Sequence, residues 1–77
     1  MNYKLFTTPT CRFCPAVKEH LGTVDIEGEH IDASTSPGRD EAMKYGIRSV
    51  PTVLFFEGDD LKGVARSVRE VEDFLRK

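Results

Sequence analysis

Thr10-Cys11-Arg12-Phe13-Cys14-Pro15 contains the only two cysteines of the 77-residue chain. They are spaced Cys-X-X-Cys where a first strand should hand over to a first helix. In a small chain with a βαβ pattern, that spacing reads as a redox pair, Cys11–Cys14, that makes and breaks a disulfide. A structural staple is a poor alternative, because the loop closed is tiny and little unfolded-chain entropy is removed. A reversible disulfide in a reducing compartment fits better. Pro15 lacks an N–H and crowds the Cys11 carbonyl, so it belongs in the first turn of a helix beginning at about Arg12.

Outward from this stretch, the elements alternate. Tyr3 to Thr7 carries β-favouring residues and predicts a strand, ended by Thr8-Pro9-Thr10. The following helix, about Arg12 to Leu21, has apolar positions at Cys14, Val17 and Leu21, with Gly22 as a left-handed stop. This stripe sends Cys14 inward and leaves Cys11 exposed. Val24 to Asp32 gives a second strand, diluted by Gly28 and four acids. Ser36-Pro37 opens a second helix, serine as cap and proline at the first helical position, running to about Tyr45 and stopping at Gly46. Thr52-Val53-Leu54-Phe55-Phe56 is a continuous apolar strand, suited to cover on both faces. Glu57-Gly58-Asp59-Asp60 turns the chain into a short return strand, Leu61 to Ala65. Ser67-Val68-Arg69-Glu70 is a capping box for a last helix with inner face Val68, Val71, Phe74 and Leu75. The expected architecture is α/β, in the order β-α-β-α-β-β-α, with a four-stranded mixed sheet covered by helices on both faces.

Composition narrows the function. Residues 1–77 fit one domain, and 39% apolar with 31% charged residues suits a folded globule. The net charge of −2 shows no basic bias toward nucleic acid or an acidic membrane surface. No apolar run approaches the roughly 20 residues of a bilayer span. The opening Met1 to Phe6 is too short and polar for a signal peptide, so a cytoplasmic location and no membrane partner are expected.

The chemistry follows from thiolate character. A free cysteine ionises at about 8.5, and a helix N-terminus favours the anion. Cys11 sits there, with Arg12 adding a positive charge, and is the expected nucleophile. Cys14, facing the sheet, is the expected resolving thiol that displaces whatever Cys11 captures. Against this stands a pair of inert core thiols. A zinc site would need His20 and His30 to complete four ligands, and neither lies at close motif spacing. Both histidines read as solvated or half-buried side chains, and no metal is expected. Pro51 in Ser49-Val50-Pro51-Thr52 reads locally as an ordinary trans proline at a strand start. A cis Val50–Pro51 bond is the alternative, and would leave Val50 backbone groups free to pair with an extended substrate peptide.

Taken together, the Cys-X-X-Cys, the stretch Tyr45-Gly46-Ile47-Arg48-Ser49-Val50-Pro51-Thr52 and the closing hairpin and helix resemble the thioredoxin/glutaredoxin superfamily over nearly the whole chain. In length the chain resembles glutaredoxins and the small glutaredoxin-like thioredoxins of archaea and bacteria. The resemblance implies Cys11 as nucleophile, Cys14 as resolving thiol, and a cis Pro51 packed beside them. It implies no bound cofactor beyond the redox-active disulfide. The partners implied are protein disulfides and a thioredoxin reductase, or glutathione in the alternative reading.

Three departures bear on the choice. The residues between the cysteines are Arg12 and Phe13, not Gly-Pro or Pro-Tyr. The position of the buried thioredoxin acid, six before the first cysteine, is Leu5. The glutathione-binding Gly-Gly turn with its following acid is replaced by Lys62-Gly63-Val64-Ala65-Arg66-Ser67. Lys18 and Arg48 match positions often basic in glutaredoxins and are candidate steering charges. Arg12, Phe13, Val50 and Pro51 are the expected substrate-binding residues, and a monomer is expected. The leading reading is a dithiol reductase of protein disulfides. A glutathione-dependent glutaredoxin and a non-catalytic binding module are the other two.

Overall fold

The structure is a computed structural model, and it describes residues 1–76. The elements are β1 (Asn2–Thr7), α1 (Cys14–Gly22), β2 (Glu27–Asp32), α2 (Ser36–Lys44), β3 (Thr52–Glu57), β4 (Asp60–Ala65) and α3 (Val68–Leu75). The strands form one sheet in the order β2-β1-β3-β4. β1 and β2 run parallel, while β1–β3 and β3–β4 are antiparallel. Order and mixed topology are those expected from the sequence.

Alternation along β1 sorts the helices onto two faces. Leu5 packs with Val53, Phe55 and Ala65 against Val17 and Leu21 of α1 and Val71 of α3. Phe6 packs with Leu54 and Phe56 against Ala42 of α2, with Tyr45 half-buried beside them. The run in β3 is buried from Thr52 to Phe56 because both its faces are covered. Phe74 stacks on Phe55 with ring centroids 4.4 Å apart. It lies over Gly63, where any Cβ would collide with its ring. Lys4, on the α2 face, bonds Glu41 at 3.0 Å and pairs with Glu29 at 3.4 Å, tying β1 to α2 and β2. The Glu41 hydrogen bond is the largest cause raising the Lys4 pKa above its ordinary value.

Several boundaries differ from expectation, each for a local reason. α1 begins at Cys14, not Arg12. Pro15 then takes the second helical position, where its missing N–H costs nothing. Gly22 is the last helical residue and is not left-handed. Instead Thr23 closes α1, its N–H donating to the His20 carbonyl at 3.0 Å and its hydroxyl at 2.7 Å. β2 begins at Glu27, and Val24 packs against the core ahead of it. The cap of α2 is Thr35, not Ser36. Its hydroxyl accepts from Gly38 N–H at 3.3 Å, and Pro37 moves to the second position. Gly46 stops α2 with φ of 69°, as expected. The α3 box forms with Ser67 accepting from Glu70 N–H, but Glu70 reaches back to Arg66 N–H rather than to Ser67.

Candidate active site

The two sulfurs hang from the C-terminal end of β1. After Thr7 the chain leaves the sheet, and Cys11 N–H donates to the Thr8 carbonyl at 3.2 Å, closing a turn. Arg12 and Phe13 bend outward, and the first helical bond runs from Val17 N–H to the Phe13 carbonyl. Cys14 is therefore the first residue of α1, and its N–H is one of the donors a helix leaves unpaired. That N–H donates to Sγ of Cys11 at 3.1 Å. Cys11 and Cys14 are joined as a disulfide with Cα atoms 5.5 Å apart, within the ordinary span for such a bridge.

Their environments differ. Cys14, at the start of α1, is 4% exposed, while Cys11 is half-buried at the surface. Phe13 is 71% exposed, an uncovered aromatic ring two residues from Cys11. A sulfur at Cys11 gains an N–H donor and the positive end of α1, both of which favour negative charge. Among the described residues no hydrogen bond to the Cys14 sulfur is present, and burial disfavours its charged form. Leu5, on the same sheet face, is 1% exposed in an apolar cluster, so no carboxyl reaches Cys14 from that position.

Two clefts flank this loop. The first, of about 320 Å³, is lined by Cys11, Cys14, Lys18, Thr7, His30 and Asp32, among others. Asp32 accepts from the Ser34 hydroxyl at 2.6 Å and the Ser34 N–H at 2.9 Å, and these bonds hold its carboxyl below the ordinary value. The second, of about 220 Å³, is lined by Arg48, Ser49, Val50, Ile47, Met43 and Arg39, with Thr8 shared between the two. The two candidate steering charges thus separate, Lys18 to the sulfurs and Arg48 to the second cleft.

The proline loop lies at the same end of the sheet. Phe6 pairs with Thr52, so the residues after one and before the other, Thr7 and Pro51, come opposite. The Val50–Pro51 bond is cis, which corrects the local reading of an ordinary trans proline and agrees with the resemblance. Thr52 fixes the loop, its hydroxyl donating to the Ser49 carbonyl at 2.6 Å. Pro51 is buried, Val50 half-buried. Among the described residues neither the N–H nor the carbonyl of Val50 has a protein partner. Arg12 and Phe13 line neither cleft and project to solvent. Sequence reasoning singled out neither Thr7 nor Asp32, and took His30 as a bystander. Among the described residues no group of three or more His, Cys, Asp or Glu side chains could hold a metal ion.

A four-stranded mixed sheet of this order, with a Cys-X-X-Cys pair at the start of the first helix, defines a thioredoxin-fold thiol–disulfide oxidoreductase. The family model described as Glutaredoxin matches residues 4–60, and the chain belongs to that family. It is 33% identical over 78 residues to a probable thioredoxin of Archaeoglobus fulgidus, covering 96% of this chain and 85% of the relative. It is 39% identical over 60 residues to a thioredoxin of Methanocaldococcus jannaschii, covering 70% and 68%. Among solved structures, thioredoxin 1 of Thermosipho africanus superposes with a TM-score of 0.72 at 22% identity, covering 99% of this chain and 96% of that one. Thioredoxin O2 of Arabidopsis thaliana gives 0.83 at 18% identity, covering 97% and 71%. At those identities the structures speak for the fold alone.

Proposed function

We propose that this protein reduces protein disulfides through both cysteines and is recharged by a flavoprotein thioredoxin reductase. The reading rests on the inequality of the two sulfurs: Cys11 is accessible and accepts the Cys14 N–H at 3.1 Å, while Cys14 is buried. Cys11, as thiolate, attacks a substrate sulfur and expels the other substrate sulfur, forming a mixed disulfide. Cys14 then attacks Cys11 Sγ, closing the Cys11–Cys14 bond and releasing the second substrate sulfur. The exposed Phe13 and Arg12 provide a docking surface beside the attack point. The unpaired Val50 backbone receives an extended substrate segment as an added strand, in the place Pro51 gives it. Lys18 and Arg48 steer anionic partners. The protein works as a monomer in the cytoplasm.

The test is NADPH-dependent turnover of a protein disulfide with a thioredoxin reductase. Turnover by the wild type and none by Cys11→Ser is expected. No activity in the wild type, or full activity in Cys11→Ser, would overturn the reading. Lys18 in the sulfur cleft favours a second reading, glutathione-dependent reduction, against which Lys62 to Ser67 carry no acid. In that case reduction of glutathionylated substrates survives Cys14→Ser, because glutathione itself resolves the mixed disulfide.

A further inference from the structure

The thiol-exchange reading leaves one proton without a carrier. Cys14 is buried and must lose its proton to attack, then regain one when the disulfide is reopened. The core beneath it is apolar, with Leu5 on the same sheet face. We propose that His30 carries this proton, exchanging it with Cys14 through the Thr7 hydroxyl.

The register of β2 places it there. His30 pairs with Leu5, and Asp32 with Thr7, in the parallel β1–β2 ladder, so all four side chains share the α1 face. Thr7 is buried beneath the loop that carries Cys11. It is pinned by its own carbonyl, which accepts from Ala33 N–H at 2.8 Å. Its Oγ1 is hydrogen-bonded to Nε2 of His30. Thr7, His30, Cys11 and Cys14 line the same cleft of about 320 Å³, roomy enough for bridging water. The other charged groups facing this cleft are Lys18 from α1 and Asp32 from β2. Lys4, Glu29 and Glu41 line the adjoining cleft, which His30 also borders. Imidazole is the one side chain among these whose ring nitrogen can take up a proton from the Thr7 hydroxyl and hand it back across the bond the two already share.

The step balances. The Cys14 proton passes to the Thr7 oxygen, directly or over one water, as the Thr7 hydroxyl proton moves to Nε2. Thr7 ends unchanged, and His30 becomes imidazolium. Cys14 Sγ bonds to Cys11 Sγ, the bond from Cys11 to the substrate sulfur breaks, and that sulfur leaves with the electron pair. The imidazolium gives its proton to the departing thiolate or to solvent. The cysteine pair is oxidised and the substrate disulfide reduced. In reverse, the imidazolium protonates Cys14 as it leaves Cys11.

The experiment rests on the thiol-exchange reading and separates its failure from that of the proposal. The full reduced chain is mixed with 5,5′-dithiobis(2-nitrobenzoate) in a stopped-flow instrument. The first nitrothiobenzoate release reports attack by Cys11. The second, independent of reagent concentration, reports attack by Cys14. The proposal requires that His30→Ala leave the first release unchanged and slow the second about tenfold at pH 7. That is below the usual ~10²–10⁴ of general-base catalysis, because water shares the cleft. The wild-type second phase should carry a pH dependence that the variant lacks, and added imidazole should restore the rate. His30 is exposed on an edge strand, so its replacement leaves the core intact. His20→Gln, outside the cleft, should behave as wild type. An unchanged second phase and pH profile in His30→Ala, or no rescue by imidazole, would overturn the proposal. A wild type with no second release would overturn the exchange reading, and this proposal with it.

Discussion

The N–H of Cys14 points at Sγ of Cys11 across 3.1 Å, so the first donor of α1 serves the sulfur three residues before it. The helix start and the accessible cysteine are one construction. When the bridge is reduced, this donor and the helix dipole act on the Cys11 thiolate. Iodoacetamide alkylation against pH should show Cys11 ionising below the ordinary value of about 8.5, with Cys14 much the slower of the two. A Cys11 profile matching a free cysteine, or a faster Cys14, would contradict this. Peptide mapping after partial alkylation separates the two sites.

Leu5 is sealed in the core at 1% exposure, in the position where an acid would reach Cys14 from the sheet. Replacing it with aspartate should destabilise the fold by at least ~2–5 kcal/mol, the range for losing a buried leucine. The carboxyl adds its own burial cost. Its folded pKa would be raised, so the folded state holds a proton the unfolded state has lost. The deficit should therefore grow as pH rises above about 3.9. Urea midpoints at pH 4 and pH 7 measure it, and a deficit independent of pH would contradict it.

Gly38 sits in the first turn of α2 against the carbonyl of Asp32, where an added Cβ would overlap that oxygen. Both partners are backbone atoms, so neither can turn aside. Gly38→Ala should cost about 1–3 kcal/mol, as overpacking does, by prising α2 from the end of β2. Denaturant midpoints should fall while Cys11 alkylation stays unchanged, since α2 covers the opposite face.

Asp32 holds the first turn after β2 through its two bonds from Ser34, which lower its pKa from the ordinary 3.8. A depressed carboxyl contributes stability above its unfolded pKa and loses it as pH falls through the folded one. Asp32→Asn should therefore be less stable than wild type at neutral pH, with the gap closing below about pH 4. Thermal melts between pH 2 and 7 would show two curves converging toward acid. Parallel curves would contradict this.

How much of this could be read without coordinates depended on range. The cysteine spacing, the stop at Gly46 and the Ser67–Glu70 box are signals contained in a few neighbouring residues; the first two hold, and the box holds in its serine half, with Glu70 turned to Arg66. Two caps did not. Ser36 stands beside Thr35, and only the backbone conformation decides which hydroxyl reaches Gly38. Gly22 looks like a left-handed stop, but the Thr23 hydroxyl closes the helix without one. His30 was least legible, because its place in the cleft shared with Cys11 and Cys14 depends on the β1–β2 register, which no local pattern in that acid-rich strand encodes. The alternation Leu5, Thr7 along β1 was the available clue, since it puts a hydroxyl on the α1 face of the sheet.

The strand order β2-β1-β3-β4 leaves β1 and β3 bonded along both sides and gives β2 and β4 one open flank each. Fraying starts at a margin, so the amides of β1 and β3 should be the last to exchange with deuterium. Both reactive loops are rooted in those inner strands: the cysteine loop grows from the end of one, and the Val50 loop leads into the other. The margins of the sheet can breathe while the anchorage of the working sulfur stays still.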